Sequence, residues 1–365
     1  MIRRSAILFA VLTGTLCAQP PQASPTPAAS ATPSPSPTPP PLSVRQVINS
    51  LKDEEVEAAI KSLRENFLDA AKTDDKALQR ATLEGLLRRL SPGAAVVSNP
   101  QKKAPVEGSA FLAEILDSHI AYLRPGTLTT DSLTQFDAAL TGFAQKKHDA
   151  VILDLRGMPE GGDFEIAADF ARRFCAKGKL LFSIQKPSAK QERIFTSNQD
   201  PVFDGVMVVL TDADTSGPAE ALAGTLRLNA GAMIIGSDTT GEAVEFAESP
   251  LGGGAVLRVA IAQVILPETG AIFPDGVKPD VAISLPREVQ EEIFRQSKEK
   301  GVSQFVFEPE RRRMNEASLV ANMNPEIDSA QTAQRDRGKA PQLRDTVLQR
   351  AVDLVTAINF YRAKK

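Results

Sequence analysis

Two short apolar runs constrain this chain more than anything else in it. Ala150–Leu155 reads AVILDL and Val206–Leu210 reads VMVVL, with no polar alternation before Asp154. A strand with one wet face alternates polar and apolar residues, whereas a continuous run belongs to a strand buried on both faces. Buried parallel strands are joined by helices that cover the sheet. The sequence between supplies them: Asp131–Phe143, Phe164–Phe174 and Pro218–Leu228 carry helical spacing. Ala110–Leu116, His119–Arg124, Leu180–Ile184 and Met233–Ile235 read as further strands. This βαβα rhythm predicts an α/β layer with a largely parallel sheet. Val256–Leu266 reads as a long strand, paired through the turn Gly252-Gly253-Gly254 with Ala243–Glu248.

The flanks differ in character. Arg3 and Arg4 precede an apolar run, Ala6–Leu12, with small residues up to Ala18. The run is too short for a bilayer and reads as a secretory signal peptide over residues 1–18. Leu16 directly before Cys17 fits a lipid-anchor signal poorly, so a periplasmic protein without that anchor is expected. Residues 19–42 are Pro, Ser, Ala and Thr with almost no charge, which predicts an extended tether. Residues 43–95 form a helical segment, with Val56, Ile60, Leu63 and Phe67 on one stripe and Leu78, Leu83, Leu86 and Leu90 on another. Both stripes read as packing faces. The core is expected over 106–286, and residues 287–365 hold two helices around a charged, unpatterned stretch, Glu308–Gln342.

Composition narrows the function. A formal net charge of −3 gives no basic surface for nucleic acid. With no Trp and 2 Tyr, aromatic platforms for sugars or bases are disfavoured. Cys175 is the one cysteine left once the leader is removed, so no internal disulfide is expected. His119 and His148 with one cysteine make no transition-metal cluster, and no phosphate-binding loop is present, so no cofactor is expected. No segment is apolar enough to span a membrane.

Five motifs occur in a fixed order. Ala121-Tyr122-Leu123-Arg124 ends a strand, and Val151–Gly162 reads VILDLRGMPEGG. Asp214–Glu220 reads DTSGPAE, Gly236–Gly241 reads GSDTTG, and Asp275–Val281 reads DGVKPDV. In order and spacing, from about Leu78 to Leu285, they resemble the C-terminal-processing (tail-specific) serine peptidases. The resemblance implies a ClpP/crotonase-like layered α/β core with flanking N- and C-terminal helices. It also implies a peptide or an unfolded protein segment as the ligand. A PDZ module, which many of these peptidases carry, has no room between Leu90 and Tyr122.

The resemblance places the family's functional positions on residues of another chemistry. The nucleophilic serine, three residues before the motif glutamate, falls on Gly217, because Glu220 matches that glutamate. The general-base lysine falls on Glu242, and the glutamine that orients it on Phe246. Glycine has no atom with which to attack, glutamate accepts a proton only weakly near neutral pH, and phenylalanine cannot hydrogen-bond. The amide that follows the nucleophile belongs to the oxyanion hole, and here it is Pro218, which has no N–H. Gly161 and Gly162 are the remaining candidate backbone donors to an oxyanion, with Glu160 beside them. The expectation is a non-catalytic member that binds peptide through the former substrate groove. The alternative is an active serine endopeptidase in which Ser216 attacks, with the Gly217 N–H as oxyanion donor and His119 as base. A closed groove with a structural role is a third reading.

Overall fold

The computed structural model describes residues 44–69, 72–98, 110–146, 148–158, 162–306 and 343–363. The expected signal peptide, the tether, Glu160, Gly161 and the charged stretch Glu308–Gln342 lie outside the described residues. The chain divides into two compact units, Met1–Ala77 and Leu78–Lys365. In the first, α1 (Val44–Ser50) is followed by α2 (Asp53–Asn66), whose first turn holds Asp53, Glu54 and Glu55, signs that suit a helix N-terminus. Helix α3 (Asp75–Leu90) begins in the first unit and ends in the second. The sequence expects packing faces on these helices, yet no residue of α2 or α3 is buried. Ile60, Leu63, Leu83 and Leu86 stay exposed.

The second unit is built on two sheets. The central one runs β12 (Val281–Ala282), β8 (Met233–Gly236), β7 (Val206–Thr211), β4 (Ala150–Asp154), β3 (Ile120–Arg124) and β2 (Leu112–Leu116) in spatial order. All neighbours pair in parallel except β2 with β3. Helices α4 (Thr130–Gln145), α5 (Phe164–Arg172) and α6 (Pro218–Ala230) lie in the connections, as the sequence rhythm requires. Side chains alternate across a strand, so the two faces feed two cores. Ala121, Leu123, Val151, Leu153 and Val209 pack with α4, α5 and α6. Ile120, Tyr122, Ile152, Val208 and Leu210 meet Leu348, Ala351, Val352 and Val355 of the last helix, α8 (Thr346–Ala363). The unbroken apolar runs are thereby explained, since both faces of the sheet are covered. The core also extends beyond residue 286, because α8 closes one of its faces.

A second sheet, antiparallel throughout, covers α5 and α6 from outside. It runs β1 (Ala94–Ser98), β10 (Ala255–Leu266), β5 (Leu180–Lys186) and β6 (Gln191–Thr196), and β10 pairs along its other side with β9 (Val244–Pro250) and β11 (Gly270–Ala271). Leu181, Phe182, Ile184, Ala262 and Val264 bring its inner face into the larger core. The sequence reading has three strands of this layer, at 180–184, 243–248 and 256–266, but does not separate them into a second sheet and lacks β1, β6 and β11. Strand β6 has the burial pattern of an edge, with Phe195 its single buried residue, and so leaves little hydrophobic signal. Helix α7 (Arg287–Lys300) follows Pro286.

Candidate active-site groove

Parallel sheets place their sites beyond the carboxyl ends of the strands. Here that end carries two turns, one from β7 into α6 and one after β8. The first is tied to the end of β4: Thr215 Oγ1 stands 3.0 Å from Leu155 O and 2.9 Å from Asp212 Oδ1, and its one hydrogen can go to either. It ends on Gly217, the N-cap of α6, with φ 57° and ψ −118°. An L-residue is strained in that region, and glycine is not. Pro218 then takes the first helical position, where its missing N–H costs nothing to the helix. The elbow into α6 is therefore kept by residues that suit its backbone.

Glu220 joins the two turns. Its carboxylate accepts from the Gly217 N–H at 3.0 Å, from the Gly241 N–H at 2.7 Å and from the Glu242 N–H at 2.8 Å. The Thr239 hydroxyl donates to it as well, and the Thr240 hydroxyl does so at 3.2 Å. Burial pushes the Glu220 carboxyl up from its ordinary value, and the Thr239 hydroxyl and the Gly241 and Gly217 amides pull it back. Gly241 is needed for a different reason from Gly217: a Cβ there would stand 2.0 Å from Pro274 O.

These turns and strand β9 enclose a cavity of about 540 Å³, lined by Gly162, Gly217, Pro218, Glu242 and Phe246 among others. Five positions singled out in the sequence therefore meet in one groove. A Cβ on Gly217 would find Glu242 O at 3.7 Å as its near neighbour, so the space where a side chain would stand is open. Gly162 lies near Pro218, with its Cβ position 3.8 Å from that ring. Phe246 does more than fill space, because the Arg258 guanidinium sits 3.7 Å from its ring centroid. Arg258, Glu245 and Glu248 also line the groove. They come from β9 and β10, and the sequence marks them only as residues of a hairpin. Ile261 joins them where the β9–β10 register shifts between Ala260 and Ala262, a bulge that turns an extra residue toward the site.

Ser216 is 3% exposed and is not among the groove's lining residues. Its Oγ donates to Glu242 Oε2 at 3.4 Å. The oxyanion donor expected for a Ser216 nucleophile, the Gly217 N–H, is engaged by Glu220. His119 is not brought to Ser216. It precedes β3 and accepts from the Asp149 N–H through its carbonyl, at the amino ends of the parallel strands. Ser216 lies past the carboxyl end of β7. A strand of this length separates the two ends by roughly 17 Å. His148 lies at the same far end as His119 and lines a different pocket with Asp149 and Asn359.

The Asp154-Leu155-Arg156 segment ends β4 and is fully buried. Arg156 is 1% exposed and donates to both oxygens of Asp154, at 2.9 and 2.6 Å. Its Nη1 and Nη2 donate to Asp345 at 2.9 and 2.8 Å, Nη2 serving both aspartates. Asp345 in turn accepts from the Leu348 N–H at 2.9 Å, capping α8. Tyr122 donates to Asp154 at 2.7 Å. Burial alone raises Asp154, but the Arg156 guanidinium holds its carboxyl below the usual value. The partner of Arg156 lies 189 positions away along the chain, so no local pattern announces it. Among the described residues, no group of His, Cys, Asp and Glu is placed to hold a metal ion. No helix among them is long and apolar enough to cross a membrane.

Residues 119–283 match Peptidase family S41. The chain is 27% identical over 182 residues to the carboxyl-terminal-processing protease of Synechocystis sp., covering 49% of this chain and 42% of that protein. It is 24% identical over 200 residues to the carboxy-terminal processing protease CtpA of Bacillus subtilis, covering 55% of this chain and 42% of that protein. The chain thus spans less than half the length of these relatives. A solved structure of a photosystem II D1 C-terminal processing protease aligns with a TM-score of 0.41 at 21% identity, over 57% of this chain and 53% of that one.

Proposed function

We propose that this chain, whose residues 119–283 match peptidase family S41, binds an extended peptide or unfolded protein segment in the groove without cleaving it. One observation carries the reading. Where the elbow turns into α6, Gly217 faces Glu242 across the groove, so neither a hydroxyl nor an amine occupies the positions that correspond to nucleophile and base. Position 218 adds to it, because Pro218 has no N–H to offer a developing oxyanion and the preceding Gly217 N–H is taken by Glu220. We also propose, from the leader-like sequence of residues 1–18 and the Pro-rich stretch 19–42, that this binding takes place in the periplasm. N-terminal sequencing of the mature protein then gives Gln19 as the first residue.

The Ser216–Glu242 hydrogen bond favours a second reading, a hydrolase in which a carboxylate serves as base. A fluorophosphonate probe separates the two. The binding reading expects no covalent adduct on the full-length protein, together with saturable binding of a fluorescent peptide that Gly217→Leu weakens. An adduct on Ser216 that disappears in Ser216→Ala overturns it in favour of hydrolysis.

A further inference from the structure

We infer that the groove selects an extended peptide that presents a Lys or Arg side chain to Glu242. The inference rests on the groove-binding reading above and adds the chemistry of its ligand. The first observation concerns strand β9. Among the described residues it pairs with β10 alone, so its other edge has no strand partner. Val244, Glu245 and Phe246 are consecutive, and all three line the cavity. Successive side chains point to opposite faces of a strand. A cavity touched by both faces wraps the edge itself, where an extended chain adds by backbone hydrogen bonding.

The second observation is the pairing of the charges around it. Glu245 is held by Arg193, and Glu248 lies 3.8 Å from Arg258. Asp163 accepts from the Glu165 N–H at 2.9 Å as the N-cap of α5. The Glu242 carboxylate differs from all three. Its side chain meets the Ser216 hydroxyl at 3.4 Å and no cation among the described residues. It stands at the same mouth as Gly217, where the missing side chain leaves room. A cationic side chain entering over Gly217 reaches this carboxylate and makes a charge-assisted hydrogen bond. An acidic side chain there meets like charge.

The test uses three acetylated, amidated and fluorescently labelled octapeptides of alanine and serine, identical except for a central Lys, Gln or Glu. Each is titrated onto the full-length protein at low salt, and onto Glu242→Gln and Glu242→Lys. The expected result is binding of the Lys peptide roughly tenfold tighter than the Gln peptide, with the Glu peptide weakest. Glu242→Gln removes that preference, and Glu242→Lys reverses it in favour of Glu. The reversal also shows that the variant has kept its groove. Equal binding of all three peptides, unaffected by either variant, overturns the charge selection and leaves the groove reading standing. Failure of all three to bind overturns both.

Discussion

At Gly217, absence of a side chain and presence of a turn are the same fact. The backbone there has a positive φ of 57°, which glycine adopts freely and serine does not. Space is not the obstacle, since a Cβ would stand 3.7 Å from its near neighbour, Glu242 O. Gly217→Ser should therefore fold, at a cost of about 1–3 kcal/mol from backbone strain. A urea denaturation curve measures that cost. The new hydroxyl would face a carboxylate with Pro218 behind it, so no peptide turnover and no fluorophosphonate adduct are expected. Rapid labelling of Gly217→Ser would mean that the surroundings remain competent and that this position alone is altered.

One element-level device sets the site: a carboxylate that ties the start of α6 to the turn after β8. Glu220 accepts from three backbone amides and two hydroxyls. Removing a buried partner leaves its donors unsatisfied, at about 1–3 kcal/mol for each group that finds no water. Glu220→Ala should thus lower stability by several times that of an ordinary surface change. Hydrogen exchange should show the amides of Gly217, Gly241 and Glu242 losing protection before those of β4 and β7. Uniform loss across the sheet would mean that the clamp is not a local one. Most elements were legible in the sequence. The runs at 150–155 and 206–210 gave two central strands, and the order of motifs placed α6 and its Gly217 cap. Strand β6 was not, because an edge strand exposes most of its side chains and shows little periodicity. The helical stripes at Ile60, Leu63, Leu83 and Leu86 were legible as stripes, but periodicity identifies a face without identifying what covers it. Of the groove, Gly162, Gly217, Glu242 and Phe246 were found through motif spacing. Arg258 and Glu248 were not, because cross-strand neighbours are fixed by register, and register emerges only when β9 and β10 pair.

Across the whole molecule, the buried Asp154–Arg156–Asp345 group joins the central sheet to α8. Asp154 titrates below its ordinary value of about 3.9. A depressed acid contributes stability that is present above that ordinary value and is lost as pH falls through the lower native one. Denaturation midpoints should therefore hold above about pH 4 and drop below it. Arg156→Met leaves two buried carboxylates without their cation, an expected loss of about 3–5 kcal/mol near neutral pH. Burial then raises Asp154 instead, so stability of the variant should decline as pH climbs from 4 toward 7. A pH series of urea titrations checks both signs, and parallel profiles for the two proteins would refute the account.

On the non-cleaving reading proposed above, the Glu220 clamp bears on whether this chain could be turned into a hydrolase. An amide already bound by a neighbour cannot greet a newcomer without first letting go. Restoring an attacking hydroxyl and a basic amine would still leave the nascent negative charge without hosts at this elbow. Rescue by two swaps should fail until the grip itself is loosened, and loosening it unmakes the very bend those swaps rely on.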